Sequence, residues 1–200
     1  MKKHFYITLI LLTGATCFSQ IEKKFGKQIF LPSIEMGYVH NNASALSGGI
    51  ITKTSIEFRL RNNNDLFSRV NYDIHNTEYT LESINLASNI IKGKASFSDI
   101  LAGLGYRFGD AKFRYFLMAQ SGIRLYNYPI AIQNGNEITI EQGGNSIFMT
   151  RATIGVEYYF DEKSAVSFEV FQSQVWDKVG FWKDRGDGVG FSLGIITALF

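Results

Sequence analysis

Gly190–Phe200, GFSLGIITALF, is an apolar run that carries no charge. A spanning helix needs about 20 apolar residues, whereas a tilted spanning strand needs about 9–11. The run therefore has the length of a membrane strand. In a closed membrane barrel the last strand spans the bilayer like any other and pairs with the first. A soluble domain more often tapers into polar residues that fray into water. The phase of this strand stays open in the sequence. Val189, Phe191, Leu193, Ile195 and Leu199 form one apolar face, and Ile196, Ala198 and Phe200 form the other.

The preceding chain tests that reading through its period. Gly49–Leu60 alternates most clearly: Ile50, Thr52, Thr54, Ile56, Phe58 and Leu60 oppose Ile51, Lys53, Ser55, Glu57 and Arg59. Period-two alternation puts such sets on opposite sides of a sheet. The same pattern predicts strands at Phe30–His40, Leu66–Tyr79, Phe97–Phe108, Phe113–Tyr126, Phe148–Phe160, Ala165–Trp176 and Val189–Phe200. Leu86–Ile91 is apolar enough for a short strand or helical turn, and Glu137–Glu141 (EITIE) for a strand rising beyond a membrane.

These are eight strands. Arg61–Asp65, Gly109–Lys112 and Asp161–Ser164 are tight turns after strands two, four and six. Longer connections follow strands three, five and seven, and Asn41–Gly48 is a small polar loop after the first. Short turns on one rim and long loops on the other are the habit of a bacterial barrel, and an even count leaves both termini on the turn side. The expected fold is all-β: an eight-stranded antiparallel up-and-down transmembrane β-barrel.

Charge follows the alternation. One face carries Ile, Leu, Val, Phe and Tyr. The other carries Lys53, Glu57, Arg59, Arg69, Asp73, Arg107, Arg114, Arg124, Arg151, Glu157 and Glu169. On the lipid face each Lys or Arg near the midplane would cost roughly 2–4 kcal/mol. Inside a barrel, opposite signs can pair, so these eleven are the expected lumen-facing polar network. Tyr38, Tyr72, Phe97, Tyr106, Phe108, Phe113, Tyr126, Phe148, Tyr158, Phe160 and Trp176 fall near strand ends, as interfacial aromatic girdles require.

Met1–Ser19 reads as a secretory signal: Lys2 and Lys3, then FYITLILL at Phe5–Leu12, then TGATCFS at Thr13–Ser19. The alternatives are an anchor helix, for which the apolar core is short, and a lipoprotein modified at Cys17, where Thr16 replaces the usual small residue. Residues 20–28 are a polar periplasmic lead-in, and 29–200 are the barrel. Without Lys2 and Lys3, 18 basic residues face 18 acidic ones, so no basic surface for nucleic acid is implied. The single cysteine, Cys17, lies in the segment expected to be removed.

The signal ending at Ser19–Gln20, GLGYRF at Gly103–Phe108, GVEYYF at Gly155–Phe160 and terminal Phe200 together resemble the small eight-stranded outer-membrane barrels, the OmpA-like and OmpX-like group. The chain looks most like outer-membrane beta-barrel proteins of Bacteroidetes. The resemblance implies residence among outer-membrane lipid and lipopolysaccharide. It also implies insertion through a C-terminal strand whose last aromatic, Phe200, is read by the barrel-insertion machinery, and it fits a monomer.

An eight-stranded barrel has an interior just wide enough for side chains to fill. The expected function is therefore a structural, loop-displaying or partner-binding membrane protein with a filled polar lumen. A lipid A-modifying enzyme is the alternative. It needs a His–Ser pair oriented by a carboxylate. His40 and His75, each at an outer strand end, are the histidines beyond the signal, with Ser44 and Glu78 nearby, but no His-x-Ser segment occurs. A secretion-associated barrel resembling PorT is a further reading, with Phe181 and Trp182 as loop contacts. Arg185–Asp187 is an Arg-Gly-Asp triplet in a glycine-rich turn. No cysteine–histidine metal cluster, phosphate-cradling loop or nucleophile elbow is present, so no cofactor, metal or catalytic residue is assigned.

Overall fold

A computed structural model describes residues 28–60, 63–80, 92–110, 112–134, 137–161, 164–177 and 186–197. The signal, the lead-in up to residue 27, Leu86–Ile91, Phe181, Trp182, Arg185 and the terminal Ala198–Phe200 lie outside them, and Gln28, the last residue of the expected lead-in, already belongs to the first strand. The strands are β1 (Gln28–Asn41), β2 (Gly49–Leu60), β3 (Asn63–Thr80), β4 (Lys92–Gly109), β5 (Phe113–Asn134), β6 (Glu137–Tyr159), β7 (Ser164–Val175) and β8 (Gly188–Thr197).

Each strand pairs antiparallel with the next, and β8 pairs with β1, so the sheet closes into a barrel without a free edge along its wall. Closure matters because lipid cannot hydrogen-bond an unpaired peptide group. Following partners once around, from Leu31 through Glu57, Arg69, Gly103, Gln120, Arg151, Ser173 and Gly188, leads back to β1 at Asn41. That displacement of ten residues along β1 tilts eight strands by about 40° from the barrel axis.

Burial alternates along every wall strand, and the phase is the one the charges dictate. Ile34, Met36, Ile50, Ile56, Leu104, Leu117, Ile154 and Leu193 point outward, with 48–69% of their surface exposed. Lys53, Glu57 and Arg69 point inward. On β8 the exposed set is Val189, Phe191, Leu193 and Ile195, while Ile196 is buried. Pairing with charged partner strands fixes what its own apolar pattern leaves open. Two aromatics leave the expected girdle: Phe97 and Tyr126 are buried. They share the inward phase of Asp99 and Arg124, and residue parity overrides nearness to a strand end.

Three connections differ from expectation. β4 begins at Lys92, five residues before Phe97, because the end of β3, Thr77–Thr80, finds its partners in Lys92–Ala95. Asn127–Asn145 is no open loop: β5 and β6 run on as a paired ribbon to Asn134↔Glu137. The loop after β1 turns inward, with Ala43 and Leu46 buried. Asn41 Nδ2 donates to the Ser47 carbonyl at 2.6 Å, Ser47 N to Glu78 O at 2.8 Å and Thr80 N to Ala45 O at 2.9 Å. The β4–β5 turn needs its glycine, since Gly109 has φ +131°. Asp110 Oδ1 closes that turn by accepting from the amides of Phe113 (2.7 Å) and Lys112 (3.0 Å).

Candidate functional site: the ion-paired lumen

Among the described residues the lumen buries twelve charged side chains other than His75. The acids are Glu35, Glu57, Asp73, Asp99, Glu157 and Glu169, and the bases are Lys53, Arg59, Arg69, Arg107, Arg124 and Arg151. Six of each sign make the interior neutral. Every one is at most 3% exposed.

Eight of them form one connected network in the turn-side half. Arg107 Nη2 donates to Glu57 Oε1 and Glu157 Oε1, both at 2.8 Å. Arg59 pairs with Glu57 and, at 3.4 Å, with Glu157, while its Nη1 donates to the Tyr159 hydroxyl at 2.6 Å. Tyr159 in turn donates to Glu157 Oε2 at 2.6 Å. Arg69 joins Glu57 (2.7 Å) to Glu169. Lys53 continues from Glu169 to Glu35 (2.8 Å) and to Ser192 Oγ (3.0 Å). Four acids thus face four bases.

The other four charges form a second network nearer the loops. Arg124 grips Asp99 with two nitrogens, at 2.7 and 2.9 Å, and its Nη1 donates to the Gly186 carbonyl at 2.7 Å. Arg151 links Asp99 (3.0 Å) to Asp73 and donates to Ser173 Oγ at 3.0 Å. Between the networks Gln120 Nε2 donates to Asn71 Oδ1 at 2.8 Å.

Aromatic faces complete the packing. Arg107 lies 4.5 Å from the Phe67 ring centroid and Arg151 4.7 Å from that of Phe171. Such contacts favour guanidinium, whose flat, weakly hydrated group stacks readily. Above the charges sits an apolar cluster of Ala43, Leu46, Tyr79, Ala95, Phe97, Leu101, Tyr126, Ile147, Met149 and Val175. The lumen is thus filled with ion pairs below and stoppered by apolar side chains above.

Ten of the eleven residues named from the sequence lie within these networks. Arg114 does not: it has the inward phase but is half-buried and packs over the Tyr159 ring at 5.5 Å. It is the register partner of Glu157 but makes no ion pair among the described residues. Glu35 and Asp99 were missed. Both sit in inward phase, and a signal existed: the eleven named residues hold seven bases and four acids, an imbalance that a neutral interior must correct.

His75 is not at an exposed rim. It is 1% exposed, stacked on Phe97 with centroids 4.8 Å apart, and neither ring nitrogen has a hydrogen-bond partner. His40 and Glu78 are exposed. The His–Ser–carboxylate arrangement that acyl chemistry requires is not assembled from these residues.

No protein-family model matches the chain, and no curated protein sequence matches it. Solved structures do. Neisserial surface protein A shares 15% identity and a TM-score of 0.55, over 84% of this chain and 96% of that one. The chain has the fold of a small outer-membrane barrel. Ail of Yersinia pestis, in its complex with sucrose octasulfate, gives 14% identity and a TM-score of 0.51, over 85% and 99% of the two chains. OprG of Pseudomonas aeruginosa gives 6% and 0.51, over 86% and 95%. At such identities the likeness is one of architecture.

Proposed function

We propose that this chain is an outer-membrane protein whose barrel is a sealed mount for its extracellular loops, serving display or partner binding rather than transport or catalysis. The neutral lumen, in which each of the twelve buried charges meets an opposite one, carries this reading. Opening a water path would require moving side chains that hold one another across the interior, and separating a buried pair strands a charge at a cost of about 3–5 kcal/mol. Display is supported by the β5–β6 ribbon, which continues past the last β4–β5 pair at Asn127 and the last β6–β7 pair at Met149.

The loop-bearing end faces outward in this reading, and the tight turns and both termini face the periplasm. Met1–Ser19 serves as the export signal, the Bacteroidetes barrel proteins are the expected relatives, and the insertion machinery reads the last strand. Conductance of the purified protein in planar bilayers tests the sealed lumen. Baseline current, with no steady nanosiemens-scale channel, is expected. A steady open channel of that size would overturn the proposal.

A further inference from the structure

The outer wall is not uniform. Over β1–β3 it presents chiefly Ile34, Met36, Ile50, Ile56 and Val70 to the lipid; Thr52 and Thr54 also face out, and Thr54 donates to the Tyr72 carbonyl at 3.2 Å. Over β5–β7 the loop-side half changes character. Ala119 pairs with Ala152, and Ala152 pairs with Gln172. In the next row Ser121 pairs with Thr150, and Thr150 with Gln174. Ala119, Ser121, Ala152, Gln172 and Gln174 are all exposed on the lipid side. Thr150 accepts from Trp176 Nε1 at 3.0 Å. Neither glutamine amide has a partner among the described residues.

Depth makes these amides unusual. Trp176 suits the membrane interface. Gln172 lies four residues below it on the same strand, about 10 Å down the axis at this tilt. An apolar belt of about 25 Å places it between interface and midplane. Lipid chains give an amide nothing to bond, and between membrane helices polar side chains beside small residues are a means of association; the same chemistry is available to a strand wall. Directly below, Leu117, Ile154, Phe168 and Val170 line an apolar groove of about 540 Å³ in the same wall.

We infer that this face of β5–β7, centred on Gln172, docks a second copy of the chain. A primary amide is both donor and acceptor, so it complements itself as no charged side chain can. Two copies related by a twofold axis along the membrane normal bring Gln172 to Gln172 and Gln174 to Gln174 at equal depth, which is the geometry of an isologous contact. The alanines let the walls approach, and the groove receives the partner's projecting apolar side chains. This proposal departs from the monomer that the family resemblance implies.

The inference rests on the membrane-barrel reading, and one experiment separates the two. The full chain is expressed with Ala152→Cys, the register partner of Gln172, or with Ile56→Cys on the opposite wall, and oxidised in its native membrane. The parent, whose one cysteine is Cys17, is the control. Ala152→Cys is expected to shift most of the protein to the mass of a dimer on a non-reducing gel, and Ile56→Cys to stay monomeric. Replacing Gln172 and Gln174 by Leu in the Ala152→Cys chain is expected to reduce the dimer while folding, followed by the heat-dependent gel shift, is retained. Absence of a dimer, equal cross-linking at Ile56, or a cross-link to a different protein would each overturn the inference. Loss of the heat shift in the parent would instead refute the barrel.

Discussion

At the residue scale, the lumen divides charges that matter from charges that do not. Arg69 holds Glu57 and Glu169 together, and truncating it leaves two buried carboxylates short of a partner. Arg69→Met is expected to lower stability in lipid vesicles by about 3–5 kcal/mol, read from the urea midpoint. Arg114→Gln, at the half-buried rim, should change it by less than about 0.5 kcal/mol. Equal effects at the two sites would remove the network from the account. Gly109→Ala introduces a Cβ 2.3 Å from the Phe113 carbonyl oxygen at a φ of +131°, and strain of this kind costs on the order of 1–3 kcal/mol. The charges were legible before the fold because parity alone assigns a strand residue to one face. Glu35 and Asp99 obey the same parity; they escape notice when charges are read singly and appear when the interior is required to be neutral. His75 misleads for a different reason: closeness to a strand end says nothing about which face a side chain takes.

At the element scale, strand existence was readable and strand length was not. β2 runs Gly49–Leu60 in sequence and structure alike, since charged and apolar residues alternate throughout it. β5 and β6 run past their main expected ends; EITIE at Glu137–Glu141 signals the β6 side, whereas the rest of the extension rests on cross-strand pairing that composition does not show. A polar, glycine-bearing stretch such as Asn127–Asn145 reads as loop whether or not it is paired. The ribbon's autonomy yields a prediction: replacing residues 130–141 by a two-residue Asn-Gly turn should leave the heat-dependent gel shift unchanged, because no other strand pairs there. A barrel that no longer folds would show the ribbon to be part of the wall. For β8, the phase came from its neighbours. Leu193→Arg, on the lipid face and 58% exposed in the bare protein, is expected to cost about 2–4 kcal/mol near the midplane. A negligible penalty for Leu193→Arg, or a gain in stability from Ser192→Leu, which removes a lumen hydroxyl bonded to Glu35, would contradict the assigned facing.

At the scale of the whole molecule, closure, tilt and filling are one geometric fact. Eight strands staggered by ten residues enclose a cylinder that side chains can fill. Long guanidinium arms span it and meet carboxylates on the far wall, as Arg69 meets Glu169. The outer surface then has to be apolar, and 29 large hydrophobic side chains stand exposed on the described structure, more than a water-soluble fold of this size tolerates in continuous patches. The most direct measurement compares purified protein on a detergent gel with and without boiling. A barrel closed by β1–β8 pairing and braced by buried ion pairs should resist the detergent unheated and change mobility only after boiling. Identical mobility before and after heating would contradict the closed, internally paired cylinder.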